Sequence, residues 1–304
     1  MPPEQEPQAH QEHVILGMAT AVGAYFMFSL MVMFAKLLSD THSVIEIAFY
    51  RNLVGCVPFL IVIFVMGHRE ILTLRTKPVW VAIRAVGGTI SLVATFAAYS
   101  LMPLADTTAL LFTASLFIPV LSVIILKETV GPWRWSAIAA GFVGVLVMTR
   151  PTGDVYVLGI TTALFAALMH AVLQIILRYL GRFERPATIS FYFFFIGTAI
   201  TGLAMPFVAV KPTIEELPLL LGVGLSGAAA QWLLSVAYRN APAAIVTVFN
   251  YTSIVWATFF GWMIWNEWPL PAVMIGAVIV IASNILIVWR ESRAKVPIPA
   301  EPSL

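Results

Sequence analysis

The sequence predicts an all-α membrane protein with ten transmembrane helices in two inverted five-helix repeats. Three observations support this prediction. Hydrophobic residues make up 60% of the chain and charged residues only 11%, many apolar stretches are long enough to span a bilayer, and one stretch of sequence occurs twice. Soluble domains carry about 25% charged residues. The composition alone therefore indicates an integral membrane protein.

Ten apolar stretches approach the roughly 20 residues that a bilayer-spanning helix needs. They are residues 14–36, 44–66, 79–99, 105–126, 133–149, 155–178, 187–209, 216–238, 243–265 and 270–290. The longest polar connection between them is about a dozen residues. Because this leaves no room for a soluble catalytic or nucleotide-hydrolysing domain, ATP-driven transport within the chain is excluded.

The repeated stretch runs from Ala98 to Glu128 and again from Ala237 to Glu267, at a constant offset of 139 residues. Eight of the thirty-one aligned positions are identical, including an Ala-Tyr pair, a proline and the final glutamate. The repeat divides the chain into halves at residues 14–150 and 155–290. Since each half has five predicted spans, an odd number, the second half must enter the membrane from the opposite face. Such inverted repeats are typical of secondary transporters, which bind substrate between the halves.

Positive charge is distributed unevenly among the connections. With a cytoplasmic amino terminus, twelve Lys and Arg residues fall in inner connections, and only Lys36, Arg150 and Lys211 fall in outer ones. This distribution fits the positive-inside rule. It predicts a multi-pass protein of the cell inner (cytoplasmic) membrane with both termini in the cytoplasm. The polar, Pro-rich residues 1–13 and 291–304 are predicted to be disordered cytoplasmic tails.

Several short motifs lie at corresponding places in the two halves or near span ends. They are Phe49-Tyr50-Arg51, Lys127-Glu128, Trp133-Arg134-Trp135, Gly141-Phe142-Val143-Gly144, Asn250-Tyr251-Thr252-Ser253 and Asn266-Glu267. In these motifs the chain resembles the EamA family of the drug/metabolite transporter superfamily, over about 280 residues. The resemblance implies a central cavity lined mainly by helices 1, 3, 4, 6, 8 and 9. It also implies substrates such as amino acids, S-adenosylmethionine or riboflavin, and Arg84 ahead of Gly87-Gly88 favours the S-adenosylmethionine carriers.

Two arginines fall inside predicted spans, where a charge costs on the order of 2.5–3.5 kcal/mol. Arg84 could extend towards the headgroups, or it could bind a substrate carboxylate through its planar guanidinium group. Arg51 lies in helix 2, which the family resemblance places outside the cavity lining. We therefore expect Arg51 to form a structural ion pair, with Glu46 as the candidate partner.

The sixth span carries His170, Gln174 and Arg178 at four-residue spacing, hence on one helical face. A polar stripe should face protein or water in the cavity rather than lipid. His170 titrates near neutral pH in its free form. Substrate or proton handling and simple packing both remain open for it. No carboxylate lies at an evident midplane position, so proton coupling has no clear acid.

The second copy of the repeat is more polar at its centre than the first. Asn250 and Tyr251 stand where the first copy has Leu111 and Phe112. Recognition of an asymmetric substrate would use such a difference, whereas an interhelical hydrogen bond is the alternative. Substrate-binding candidates also include a hydrogen-bonding group and a stacking face in the eighth span, Gln231 and Trp232.

Four residues at span ends are candidates for gating: Tyr99, Tyr238, Glu128 and Glu267. Both the tyrosines and the glutamates are equivalent pairs across the repeat. Anchoring at the bilayer interface is the alternative role for the tyrosines. Solvation beside the headgroups is the alternative for the glutamates.

An enzyme is the alternative class of function. Gly224-Leu225-Ser226-Gly227 matches the serine motif of rhomboid-type intramembrane proteases, in which a later histidine activates the serine. The last histidine of this chain is His170, before the serine, so we disfavour a serine hydrolase. No Walker A motif, HExxH motif or Cys/His cluster with metal spacing occurs. We expect no catalytic residue, metal, cofactor or nucleic-acid partner.

The sequence thus predicts a secondary transporter that moves a small polar or zwitterionic metabolite, such as an amino acid or S-adenosylmethionine, by alternating access. Its partners are the small-molecule substrate and the lipid bilayer. Formation of a homodimer, the direction of transport and the coupling ion are left open.

Overall fold

The described part of the chain is helical. The computed structural model describes residues 5–126, 132–149, 157–181, 183–241 and 248–293, together with residue 246, and no β-strand occurs among them. The helices are α1 (Gln5–Leu38), α2 (Val44–Leu60), α3 (Pro78–Leu101), α4 (Leu104–Leu111), α5 (Ala114–Leu126), α6 (Pro132–Thr149), α7 (Val157–Leu180), α8 (Pro186–Val208), α9 (Leu217–Asn240), α10 (Thr252–Trp265) and α11 (Pro271–Arg293).

Seven of the described helical segments are long and apolar enough to cross a membrane, and two shorter apolar helices accompany them. This confirms an all-α, multi-pass membrane protein. The fourth predicted span is interrupted, because α4 ends at Leu111 and α5 begins at Ala114. The ninth predicted span falls partly on residues outside the described set. The count of ten spans therefore stays a prediction.

Three predicted segments have boundaries that the structure shifts or does not describe. Residues 5–13, assigned from sequence to the tail, belong to α1. At the other end α11 continues to Arg293. The connecting turn at residues 150–154 and the last residues, 294–304, lie outside the described part of the chain.

Local signals in the sequence account for several helix ends. Proline occupies the first turn of α3, α8 and α9, where its missing N–H is not needed. Ser43 caps α2 by accepting a hydrogen bond from the Glu46 N–H at 3.2 Å, as in the Ser-x-x-Glu capping pattern. The α10 helix ends at Asn266, whose φ of 54° lies in the left-handed region. Asparagine adopts this conformation more readily than most residues.

The helices pack in a regular set of pairs. The contacting pairs include α1 with α9, α3 with α7, α2 with α8, α4 with α10 and α6 with α11. In addition, α2 lies against α9 and α3 lies against α8. The largest buried apolar cluster among the described residues takes side chains from α1, α2, α3, α4, α9 and α10, among them Met31, Leu38, Phe96 and Phe260.

Backbone contact between α6 and α11 depends on two glycines. A Cβ added to Gly276 would lie 2.5 Å from the Gly144 carbonyl oxygen, and one added to Gly144 would lie 2.8 Å from the Gly276 carbonyl oxygen. Small residues allow such close approach between membrane helices. These two positions therefore set the distance between the last helix of each half.

A buried carboxylate anchors the start of α3. Glu184, 3% exposed, follows α7 and accepts hydrogen bonds from the backbone N–H groups of Arg75, Thr76 and Lys77 at 2.8–3.1 Å. Burial alone would raise the pKa of this carboxyl. The three N–H donors outweigh burial and hold the pKa of Glu184 below its ordinary value.

Glu184→Gln should therefore lower the free energy of unfolding at pH 7 by about 2 kcal/mol, since it turns three charge-assisted hydrogen bonds into neutral ones. A depressed acid pKa stabilises the fold above the unfolded-state pKa, near 4.3. That contribution is lost as pH falls through the folded-state pKa. Thermal unfolding between pH 7 and pH 3 should show a weaker acid dependence in the variant. Glu215→Gln, an exposed glutamate, is the control and should leave the curve unchanged.

Candidate functional site

Arg84 of α3 places its guanidinium group against an aromatic ring of α8. Its guanidinium carbon is 5.1 Å from the centre of the Phe193 ring of α8. Its Nε and Nη1 atoms are buried and make no hydrogen bond. Room for the side chain is made by Gly88, one helical turn further on. A Cβ there would overlap Arg84 Nη1 and lie 2.7 Å from the Phe193 ring.

Arg51 approaches the same aromatic ring from α2. It is 2% exposed, and its guanidinium carbon lies 5.3 Å from the Phe193 ring centre and 4.6 Å from that of Phe194. Its Nη1 donates a hydrogen bond to the Asn52 side-chain oxygen at 3.0 Å. Its Nε has no partner and points towards Gly227 of α9, where an added Cβ would lie 3.3 Å away.

Arg51, Asn52, Arg84 and Phe193 together form what we term the arginine cluster. Both guanidinium carbons face the Phe193 ring, so they are no farther apart than the sum of their distances to its centre, about 10 Å. The cluster is built by α2, α3 and α8, and α9 closes one side. Sequence reasoning identified Arg84 but not Phe193, since one phenylalanine among twenty carries no signal of its own.

The expectation that Arg51 pairs with Glu46 is wrong. Glu46 instead lies 3.1 Å from the ring nitrogen of His42 and accepts from the Val210 N–H at 3.3 Å. Residues five apart on an α-helix are rotated by about 140° from each other. The two side chains therefore leave α2 on different faces, and Arg51 enters the interior.

The polar stripe of α7 lies beside the arginine cluster. His170 and Gln174 are both exposed and lie one turn apart on the same face of the helix. Arg84 is close enough to His170 for the two groups to interact electrostatically. The helices α3 and α7 approach each other closely at Gly87. A Cβ added to Gly87 would lie 3.1 Å from the Leu173 side chain.

A second group of polar candidates surrounds the break between α4 and α5. Asn250 and Tyr251 form a short 3-10 turn before α10, and both are half-buried. The Tyr251 ring meets Phe112 edge to face, with 5.2 Å between ring centres. Phe112 is the residue aligned with Tyr251 in the repeat, so the two equivalent positions contact each other. The Tyr251 hydroxyl lies beside the side chains of Asn284 and Ser115.

The two candidates on α9 are less enclosed. Trp232 is 67% exposed, and Gln231 is half-buried. Consecutive residues of a helix point about 100° apart. One face of α9 therefore cannot present both side chains to a single ligand.

An ion pair joins three helix ends at what we term the Lys36 end of the bundle. Lys36 Nζ, at the end of α1, lies 2.9 Å from both carboxylate oxygens of Glu267. It also donates to the Met102 carbonyl oxygen after α3, at 3.1 Å, and sits 4.9 Å from the Trp265 ring centre. Lys36 is only 9% exposed. From sequence it counted merely as a loop charge, and its partner is 231 positions away.

The other gating candidates have different surroundings. The Tyr99 hydroxyl is hydrogen-bonded to Thr108 at 3.0 Å and so ties the end of α3 to α4. Tyr238 is 47% exposed, and its hydroxyl lies near that of Tyr25 of α1. Glu128 lies outside the described residues.

A histidine between two carboxylates connects loops at the Lys36 end. The ring nitrogens of buried His42 lie 3.1 Å from Glu46 and 3.3 Å from Glu216. The backbone N–H of Thr213, followed by the Thr41 and Thr213 hydroxyls, lowers the pKa of Glu216 to about 2. Glu216 is therefore ionised at any physiological pH and holds the loop before α9 against α2.

The described part of the chain shows no recognisable catalytic site or metal-binding site. The Ser226 hydroxyl donates to the carbonyl oxygens of Gly222 and Val223 in its own helix. No group of three metal-ligating side chains occurs among the described residues.

A bundle of apolar helices with buried, unpaired guanidinium nitrogens is typical of a multi-pass membrane transport protein, since charges inside spans mark substrate or ion pathways. The comparison with known families agrees. The chain belongs to the EamA-like transporter family, whose model matches residues 15–150 and 157–289. The two matched ranges correspond to the two halves seen in the sequence.

Named relatives transport chemically different compounds. The chain is 31% identical to a riboflavin transporter of Rhizobium johnstonii over 69% of its length and 70% of the relative's. It is 30% identical to a pseudopaline exporter of Pseudomonas aeruginosa, over 88% and 94% of the two lengths. A third relative, an S-adenosylmethionine uptake transporter of Rickettsia bellii, is 28% identical over 64% and 67%. These names support transport and leave the substrate of this chain open.

Proposed function

We propose that this protein is a secondary transporter that moves a small polar metabolite across the cytoplasmic membrane by alternating access. The observation that carries the proposal is the arrangement of unpaired polar side chains in the interior of a chain that belongs to a transporter family. Two halves of equal construction can exchange shapes, because each half can adopt the conformation of the other. Access then alternates without an energy-supplying domain.

Helix contacts support two equivalent five-helix halves. By their order in the two halves, α1 corresponds to α7 and α3 corresponds to α9. The contact of α1 with α9 therefore has a counterpart in the contact of α7 with α3, and both contacts occur. Likewise α2 corresponds to α8, so the contact of α2 with α9 has a counterpart in the contact of α8 with α3, and both contacts occur. The direct contact of Phe112 with Tyr251 is what a pseudo-two-fold axis near these residues would produce. Ten helices in two inverted repeats account for these pairings.

We place the substrate between the halves, against α3 and α7. Arg84, His170 and Gln174 form its polar wall in this proposal. Asn250 and Tyr251 contribute a second wall beside the helix break, and Gln231 or Trp232 contributes from α9. The contact of Lys36 with Glu267 closes one mouth of this space, with Tyr99 and Tyr238 near the two mouths as supporting groups.

The proposed orientation places both termini in the cytoplasm and the Lys36 end outside. It follows from the excess of Lys and Arg in the connections at the opposite end. Glu128, equivalent to Glu267, would then lie at the cytoplasmic mouth. Attachment of a membrane-impermeant label to cysteines placed at residues 2 and 303 of intact cells tests the orientation, and labelling of either contradicts it.

Exchange by purified protein in liposomes tests the function. Vesicles loaded with one candidate should accumulate the same labelled compound from outside, saturably and without ATP. The panel is alanine, succinate, riboflavin and S-adenosylmethionine. Asn250→Ala should fold and reduce exchange about tenfold, because a hydrogen bond to substrate is worth about 0.5–1.5 kcal/mol. Ser226→Ala should retain full exchange, since its hydroxyl serves only its own helix.

Two results would contradict this function. Ion-sized currents in planar bilayers would indicate a channel. An activity on membrane substrates that Ser226→Ala abolishes would indicate an enzyme.

A further inference from the structure

Positively charged side chains gather around the Phe193 ring in the interior of the bundle. Arg51 and Arg84 share the ring of Phe193, and His170 lies within electrostatic range of Arg84. Three guanidinium nitrogens in the pair are buried and unpartnered: Arg51 Nε, Arg84 Nε and Arg84 Nη1. Buried charges normally have ionic partners, since desolvation is otherwise uncompensated. The aromatic contacts offset only part of that cost.

The described carboxylates with resolved partners are engaged elsewhere. Glu46 and Glu216 contact His42, and Glu267 contacts Lys36. Glu184 binds three backbone N–H groups, and Glu70 lies 3.6 Å from Arg185. All five lie at or beyond helix ends. None of them is available to neutralise the arginine cluster or to receive an ammonium group beside it.

We infer that the substrate is an anion with net negative charge, bound through a carboxylate or another oxyanion by Arg84, with Arg51 behind Phe193 adding to the positive potential. This inference rests on the proposed function and narrows it. A zwitterion would place its ammonium group beside two arginines, where no described carboxylate forms a resolved contact, and a cation would be repelled. The polar or zwitterionic class expected from sequence is thereby restricted to metabolites with net negative charge.

The polar stripe of α7 fits the same ligand. The Nε and Nη1 atoms of Arg84 are buried and lack partners in the protein, so a charge-assisted hydrogen bond from either atom to a carboxylate would satisfy a donor that the protein leaves unpaired. His170 and Gln174 offer further N–H donors on the accessible side. The aromatic ring of Phe193 excludes water from the opposite side of the guanidinium group, which strengthens the interaction with an anion.

Ligand-induced stabilisation of the purified protein tests the charge preference. Thermal unfolding is measured with succinate, citrate, alanine, S-adenosylmethionine or riboflavin, at equal ionic strength set with sodium chloride. A ligand that binds only the folded state raises the unfolding midpoint. Succinate and citrate should raise it, whereas alanine and S-adenosylmethionine should not.

Variants assign the response to the cluster. Arg84→Gln should weaken succinate binding about thirtyfold, because it removes hydrogen bonds to a charged group, and Arg51→Gln should weaken it about tenfold. Arg84→Lys should show an intermediate loss, since the charge remains without the planar fork. Arg185→Gln removes a half-exposed arginine at the edge of the bundle and should change nothing.

Stability without ligand separates this role from a structural one. Arg84→Met should unfold at the same temperature as the parent protein or higher, because it removes an uncompensated buried charge. A structural arginine would instead lower the midpoint when replaced. This measurement keeps the inference testable even where a binding signal is lost.

The outcomes that overturn the inference differ from those that overturn transport. Equal stabilisation by anions in the parent and in Arg84→Gln rejects the cluster as the site. Stronger stabilisation by alanine or S-adenosylmethionine, or no response to any probe, rejects an anionic substrate. Exchange of alanine in liposomes that survives Arg84→Gln would leave the transporter intact and remove the anion site.

Discussion

Replacing Glu267 by glutamine should open the Lys36 end of the bundle. Lys36 would keep its contact with the Met102 carbonyl oxygen and with the Trp265 ring but lose its counter-charge while only 9% exposed. Breaking a fully buried pair costs about 3–5 kcal/mol. Since the Glu267 side chain is 28% exposed, we expect about 2 kcal/mol. Because 1.4 kcal/mol is tenfold, the closed form should lose about thirtyfold in population relative to the open one.

Cysteine labelling measures this shift. Cys56, the single native cysteine, is replaced by serine, and Ala35→Cys places a thiol beside Lys36, where the native side chain is 2% exposed. A membrane-impermeant maleimide should modify this thiol about thirtyfold faster in Glu267→Gln, following the thirtyfold population shift expected above. Faster labelling identifies the ion pair as a closure rather than a surface contact.

One control variant removes both charges of the ion pair, and the other removes the charge of an exposed glutamate at the same end. Lys36→Met combined with Glu267→Gln removes both charges and should label more slowly than Glu267→Gln alone, because no buried charge is left unpaired. Glu215→Gln, at the same end and exposed, should label like the parent. An unchanged rate in Glu267→Gln would show that the pair does not hold this end closed.

Replacing Gly276 by alanine should separate α6 from α11. The new Cβ would lie 2.5 Å from the Gly144 carbonyl oxygen and would overlap Met148. Side-chain rotation cannot relieve a clash with backbone, so the helices must move apart. Inserting atoms into a packed interior costs about 1–3 kcal/mol, and a backbone clash places this variant near the upper limit. Unfolding in a detergent mixture of increasing sodium dodecyl sulfate content provides the measurement.

Gly23→Ala is the matched control for this prediction. Its Cβ would lie 3.5 Å from the Leu233 side chain, an ordinary van der Waals contact. Alanine also has the better helix propensity, by about 1 kcal/mol. Gly23→Ala should therefore be as stable as the parent or more stable. Equal unfolding of Gly276→Ala and Gly23→Ala would contradict the close approach of α6 and α11.

The arginine cluster shows why a list of candidate residues does not define a site. The sequence singles out Arg84 because a charge inside a span is unusual. Arg51 has the same property but was assigned to a pair with Glu46, five positions earlier on the same helix. The decisive facts are the rotation of α2 and the place of Phe193 on α8. Neither is a property of any short segment.

The ion pair at the Lys36 end gives the opposite case. Glu267 was selected because the repeat brought it into register with Glu128, and the structure shows it in contact with a buried lysine. No sequence pattern singled out Lys36 as its partner. The ion pair joins two residues, and only one of them carries a signal from the duplication.

The sequence by itself determined an all-α, multi-pass membrane protein of a transporter family. The physical reason is that bilayer thickness sets the length of a spanning helix. An apolar stretch of that length can be recognised in the sequence without knowledge of the rest of the fold. Tertiary structure alone decided which side chains meet: Arg51 with Arg84 around one ring, Lys36 with Glu267, and Phe112 with Tyr251. Those contacts follow from helix rotation and from the spacing that glycines permit, and both arise only when the whole bundle is packed.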